Sequence, residues 1–312
     1  MRRILIVRGG AIGDFILTLP AIGVLRTAFP AARLEILGYR HIVALAEGRC
    51  YADAVRSIEY SALAGFFGKG AELAPELCDY FRSFDLIISY LFDPDGNFER
   101  NLRRSGVEEI IRGVAKLQET EHAALQLARV LDELGLPLPA PAAQLFPSEA
   151  DREFARAFVS DQRQPIVALH PGSGSVRKNW PLVRWIELSA AIDQRASLLF
   201  VGGEADRAQL EALHARFDDR AIFAEDFPLP QLAAVLEKCA LFIGHDSGIS
   251  HIAAAVGTRS LLLFGATNPD VWAPANENVR VLLAPAGDLA RLESSAVADA
   301  LDQELMRIGI ST

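Results

Sequence analysis

Short β-branched runs alternate with longer helical patterns along the whole chain, and the alternation runs its course twice. Residues 3–7, 34–37, 55–58 and 86–88 read as strands. Helical spacing fills the intervals, notably over 15–28, 73–81 and 121–134. Residues 136–147 (LPLPAPAAQLFP) then place four prolines in twelve positions, a stretch that neither helix nor central strand accommodates. A helix is expected over 149–159, after which the alternation starts afresh. Strands are expected at 166–169, 198–201, 221–223, 241–243 and 261–264. Helices are expected over 182–192, 205–217, 230–238, 247–256 and 294–308. Strand–helix alternation with short loops is the signature of a doubly wound parallel sheet. The chain of 312 residues is long enough for two such domains. The boundary is expected at 160/161, with the last helix packing back on the first domain. Pro20 is expected to break or kink the first long helix.

Composition narrows the function. The net charge is −9 and both halves are acidic, which argues against nucleic acid as partner. The three cysteines lie far apart, with no metal-type spacing, which fits a reducing compartment and no structural zinc. The N-terminal apolar run is too short for a signal peptide, and no window reaches the length of a membrane span. The expected location is the cytoplasm.

Ligands of doubly wound sheets bind beyond the carboxyl ends of the strands, so the loops there carry the chemistry. Two domains facing each other would leave a cleft at those ends. Four loops stand out. Residues 8–14 (RGGAIGD) follow the first strand. They fit neither the dinucleotide-binding glycine pattern nor a P-loop. Asp14 there is either a helix-capping residue or a general base beside a helix N-terminus that favours its ionised form. Residues 170–181 (HPGSGSVRKNWP) surround Lys178 and Arg177 with glycines and the hydroxyls of Ser173 and Ser175. That loop suits a diphosphate, although an ordinary surface loop has the same look. In residues 244–257 (GHDSGISHIAAAVG), Asp246 or Ser247 can cap a helix, and His251 shares a helical face with Ser247. Residues 264–274 (FGATNPDVWAP) add Thr267 and Asn268, a weaker signal.

Taken in order, GD in the first loop, HPGSGSVRKNWP, GGE, DSGISHIAAAVG and LFGATNP resemble glycosyltransferase family 9, the ADP-heptose:lipopolysaccharide heptosyltransferases. The resemblance covers nearly the whole chain and is loosest between about residue 40 and the second half. It implies a GT-B fold of two Rossmann-like domains, with the acceptor held by residues 1–160 and the nucleotide-sugar by 161–312. It implies an inverting transferase that needs no metal and no cofactor, acting on an anionic glycan or glycolipid, with transient contact at the inner membrane. Position by position, Asp14 matches the general base, Lys178 the contact to the donor phosphate and Glu204 the acidic group near the ribose. Asp246, Ser247, Gly248 and His251 match the group that holds sugar and diphosphate, and Ser173 and Ser175 flank the lysine. Gly10, Arg100, Arg103 and Arg104 are the candidate acceptor contacts; a solvated charged helix explains those arginines equally well. Ser247 stands where threonine is commoner, Ile249 and Ser250 where proline and methionine are frequent, and Asn179 where a basic or aromatic residue is usual. A transferase of another nucleotide-sugar, a sugar-nucleotide epimerase and a non-catalytic nucleotide-sugar-binding protein are the competing readings, because fold alone does not decide function.

Overall fold

The computed structural model describes residues 2–175 and 178–309. The chain divides into two compact units, Met1–Pro141 and Ala142–Thr312. The first holds a five-stranded sheet of β1 (Arg3–Arg8), β2 (Arg33–Gly38), β3 (Ala54–Ser57), β4 (Leu86–Ser89) and β5 (Ile110–Arg112), in the order β3-β2-β1-β4-β5. Every neighbouring pair is parallel. The second holds β6 (Ile166–Leu169), β7 (Ser197–Gly202), β8 (Ala221–Glu225), β9 (Leu241–His245), β10 (Ser260–Phe264) and β11 (Val279–Leu283), in the order β11-β10-β9-β6-β7-β8, again all parallel.

The two orders follow one rule. The chain enters at a central strand, winds outward to one edge, then crosses back to the other side of its starting strand. The reversal opens a switch point between β1 and β4 and another between β6 and β9, the places where doubly wound sheets bind ligands. Strands covered on both faces carry unbroken apolar runs. Ile4 to Val7 in β1 and Ile166 to Leu169 in β6 are each fully buried.

Pro20 does not interrupt the first helix, which runs unbroken over Ile12–Ala28. Proline in a helix interior costs about 3 kcal/mol. Nine buried residues of this helix, among them Phe15, Ile16, Leu19 and Ile22, offset that cost at roughly 1.5–3 kcal/mol for each large side chain.

The division between units falls ahead of the helix Glu149–Phe158 rather than behind it, which corrects the expected 160/161 boundary. That helix is capped by Ser148 and Asp151, which bond each other's backbone N–H. It packs on the second unit: Phe154 and Phe158 meet Phe227 edge to face at 5.3 and 4.9 Å, and Arg152 forks onto Glu237 at 2.8 Å through two nitrogens. The proline-rich stretch ends on the same unit, where Leu145 N–H bonds the Ala255 carbonyl and the Asn276 amide bonds that of Ala143.

The final helix, Ser294–Arg307, packs into the core of the second unit. Val297, Ala300, Leu301 and Leu305 enter one core with Trp185, Leu198, Phe200 and Leu261. Its buried Glu304 receives Arg259 at 3.1 Å, Arg280 at 3.3 Å and Arg307 at 2.7 Å. Among the described residues no helix is long and apolar enough to cross a membrane.

Candidate active site

At the first switch point, β1 ends in Arg8, whose side chain is buried. Its Nε donates to Thr18 Oγ1 at 3.0 Å and its Nη2 to the Asp14 carbonyl at 3.0 Å, while the guanidinium lies over the Tyr90 ring. Burial holds the Arg8 pKa below its ordinary value, and the nearby Asp14 partly opposes the shift. Asp14 is held in two ways. Its Oδ2 accepts the Ala11 N–H at 2.9 Å, and its Oδ1 lies 3.8 Å from the Arg8 guanidinium. The capping role is therefore realised, through one oxygen only, and the carboxylate remains a third exposed. Gly10 has φ +94°, and a Cβ on it would meet Asp14 Oδ2 at 2.7 Å. Gly10 thus serves the placement of Asp14.

The predicted basic cluster lies on the helix Asn97–Arg104. Arg103 pairs with Glu99 at 3.1 Å, and Arg112 pairs with Glu99 and Asp93. Arg100 bonds Asn97 and the Asp95 carbonyl, and Arg104 bonds Asn101 and the Ala71 carbonyl. Arg103 and Arg112 are thus balanced by carboxylates, while Arg100 and Arg104 are held by neutral oxygens. Beside it, a cavity of about 310 Å³ opens at the ends of β4 and β5, lined by Leu91, Phe92, Phe98, Leu102, Arg112 and Lys116.

The second switch point is more closely built. Lys178 Nζ donates to Asp246 Oδ2 at 2.6 Å, so the two predicted donor residues meet. Ser247 caps the helix Gly248–Ala255, its Oγ accepting the Ser250 N–H at 3.3 Å. Gly248 opens that helix and His251 is buried within it. Ser173 bonds Asn179, and Ser175 is exposed, its carbonyl accepting the Lys178 N–H. Arg177 lies outside the described residues. Glu204 is exposed at the start of a short 3-10 turn after β7. Asn268 caps the short helix Pro269–Trp272. No group of three or more potential metal ligands occurs among the described residues.

Sequence reasoning overlooked three side chains here. His170, just past β6, is buried; its Nε2 lies 3.3 Å from Asp206 Oδ2 and its Nδ1 lies 3.3 Å from Ser247 Oγ. Burial pushes the Asp206 carboxyl up, but the His170 bond and the Gly203 N–H outweigh it and hold the group below its ordinary range. Gly172 passes so close that a Cβ there would fall 1.6 Å from Asp206 Oδ1. His245, the last residue of β9, is fully buried. It donates through Nδ1 to the Gly172 carbonyl at 3.1 Å and accepts the Trp180 N–H on Nε2 at 2.8 Å. Both ring nitrogens are satisfied by the neutral form, and burial pulls the pKa down to about 3. Unfolding restores a value near 6.5, so between those limits the unfolded chain binds a proton that the folded one does not. Stability is expected to be full above pH 6.5 and to fall on acidification by about 1.4 kcal/mol per pH unit from this group. Urea melts at several pH values check this: a His245→Gln variant should lose that slope, and an unchanged slope would refute the assignment.

A family model described as glycosyltransferase family 9 (heptosyltransferase) matches residues 114–300, more than half of the chain. The chain belongs to glycosyltransferase family 9. It is 22% identical over 298 residues to lipopolysaccharide heptosyltransferase 3 of Escherichia coli, covering 86% of this chain and 84% of that one. Among solved structures, the glycosyl transferase family 9 protein from Veillonella parvula DSM 2008 superposes with a TM-score of 0.82 at 20% identity, covering 98% of each chain. The Escherichia coli ADP-heptose lps heptosyltransferase II does so at 0.78 and 18% identity, covering 99% of each. At those identities the two structures speak to the fold, which is the GT-B pair of Rossmann-like domains. The family 9 membership makes the chain a glycosyltransferase.

Proposed function

We propose that this family 9 glycosyltransferase moves a heptose from ADP-heptose to the inner core of lipopolysaccharide, with inversion and without a metal. The observation that carries the reading is the meeting of Lys178 with Asp246 at the mouth of the Ser247-capped helix, at the switch point of the second sheet. A cation beside unpaired helix N-terminal amides is a place for a diphosphate. The heptosyltransferase relatives supply the choice of sugar, nucleotide and acceptor.

The acceptor hydroxyl attacks the anomeric carbon from the side opposite the departing nucleotide, and the new C–O bond forms as the sugar–phosphate bond breaks. Asp14, in the first unit, takes the hydroxyl proton. The electron pair of the broken bond stays on the diphosphate, where Lys178 and the amides at the start of Gly248–Ala255 stabilise it. Glu204 is assigned to the ribose and His251 to the sugar–diphosphate group. Ser173 and Ser175 are assigned to the phosphate loop. Gly10 and the arginines Arg100, Arg103 and Arg104 are assigned to the acceptor side. The acceptor is a glycolipid, so the reaction belongs at the cytoplasmic surface of the inner membrane.

The test is a thermal-shift panel of ADP, UDP and GDP, each with and without EDTA. A ligand that binds the native state raises apparent stability by mass action. ADP is expected to raise the melting temperature most, with EDTA making no difference. A preference for UDP or GDP would sink the heptosyltransferase reading, and a shift abolished by EDTA would sink metal independence.

A further inference from the structure

The helix Ser294–Arg307 carries a charge where its periodicity calls for an apolar residue. Val297, Ala300, Leu301 and Leu305 form its buried stripe, and Glu304 falls in that stripe at 1% exposure. A lone carboxylate buried there would be costly. Three arginines meet it: Arg259 just ahead of β10, Arg280 in β11 and Arg307 at the end of the helix itself. The register sets Arg280 beside Leu261, and Arg259 lies two residues before Leu261, so both arginines are on the sheet face that the helix covers. The cluster stands at the amino ends of β10 and β11. Lys178 and Asp246 follow the carboxyl ends of β6 and β9, at the other end of the same sheet. Among the described residues Glu304 is the one carboxylate in ion-pair contact with any of the three, so one negative charge faces three positive charges. Hydrogen-bond capacity is also left over. Each arginine donates to Glu304 through Nη1 alone, and its Nε and Nη2, the edge that grips an oxyanion in two places, make no bond among the described residues. The arginine side chains are 35%, 30% and 59% exposed, so a ligand can reach them.

We infer that Arg259, Arg280 and Arg307 form a binding site for a phosphate group, built on Glu304 and separate from the donor site. Glu304 is the positioning residue. It draws three like charges together, and a dianionic ligand relieves the repulsion that remains among them. A phosphate monoester brings about two negative charges and three acceptor oxygens, which match the surplus of two positive charges and the free donor edges. A carboxylate, with one charge and two oxygens, matches less well. Inorganic phosphate and the headgroup of a phosphatidic acid share the fitting chemistry. The inference does not rest on the donor reading: a protein that ADP fails to stabilise would sink that reading and leave this site standing.

Inorganic phosphate is the first probe, added to the full chain against sodium chloride at equal ionic strength so that general screening cancels. The melting temperature is expected to rise by about 2–4 °C more in phosphate once phosphate exceeds its Kd several-fold. Arg280→Gln/Arg307→Gln should lose this gain and keep whatever shift ADP gives. Lys178→Ala should retain the gain, which places the phosphate away from the donor loop. Arg307→Gln alone leaves Glu304 two arginines and is expected to weaken phosphate about tenfold, so the comparison survives should the double variant unfold. Phosphate also stabilises proteins by exclusion from their surface, and the arginine variants subtract that effect. No gain over chloride, a gain equal in the parent and both arginine variants, or a gain that disappears in Lys178→Ala would overturn the inference and leave the arginines as partners of Glu304 alone. Flotation with phosphatidylcholine vesicles, with and without phosphatidic acid, distinguishes the sources. Binding that needs both phosphatidic acid and the arginines assigns the site to a lipid headgroup; a phosphate gain without vesicle binding assigns it to a soluble phosphate compound.

Discussion

Replacing Asp14 by asparagine is expected to lower kcat by roughly 100- to 10,000-fold, the usual contribution of a positioned general base, while ADP affinity stays at the parent value. Asparagine is the informative substitution because Asp14 has two jobs. One carboxylate oxygen caps the helix Ile12–Ala28 by accepting the Ala11 N–H, and the amide oxygen of asparagine can keep that bond. The Arg8 guanidinium, tied to Thr18 and to the Asp14 carbonyl, also stays in place. What is lost is the capacity to take a proton, with the negative charge that faces the Arg8 guanidinium at 3.8 Å. Alanine would remove the cap as well, at a further cost of about 1 kcal/mol in stability. Single-turnover kinetics on the asparagine variant, with its melting temperature alongside, make the measurement. Normal turnover would reduce Asp14 to a structural cap and end the mechanism proposed for it.

The largest effect on stability is expected at Trp185. Trp185→Ala should cost about 3–5 kcal/mol in urea denaturation, the range for deleting a buried aromatic side chain. Trp185 is fully buried on the helix Leu182–Asp193 and meets Trp180 and His245 edge to face, at 5.4 and 5.3 Å. Its removal would undercut the core and the loop that carries Lys178 together. The indole Nε1 finds no hydrogen-bond partner, so Trp185→Phe sheds an unsatisfied donor and should cost less than the alanine variant. A loss below about 1 kcal/mol for alanine would mean that the site closes over the gap.

The inner strands were legible because strands covered on both faces must be apolar throughout. β1, β4, β6, β7, β9 and β10 carry such a run; β3 and β8, at sheet edges and only partly buried, showed shorter β-branched or aromatic runs. The edge strands β5 and β11 were not legible. β5 has three residues, and β11 is only partly buried along its length, so neither shows a continuous apolar stretch. The loops announced themselves through glycine, proline and small hydroxyls, which is how Asp14, Lys178, Asp246 and Ser247 were singled out as candidates. His170, Asp206 and His245 left a weaker trace. Each stands at or just past a strand end, far from the others in sequence, and only the strand order brings them together. In the GGEADR segment the exposed Glu204 drew attention, while the buried partner of His170 is Asp206, two positions on. The domain boundary was misplaced for a related reason: Phe154, Phe158 and Arg152 have partners some seventy or more residues away in sequence.

His245 grips the lysine-bearing loop at both ends, through the Gly172 carbonyl and the Trp180 N–H. Topologically that turns an open connection into a closed ring of chain whose perimeter is set by one imidazole. The entropy of bringing its ends together is spent when the protein folds, before any substrate arrives. In the reading proposed above, a diphosphate that meets this loop has less disorder to remove.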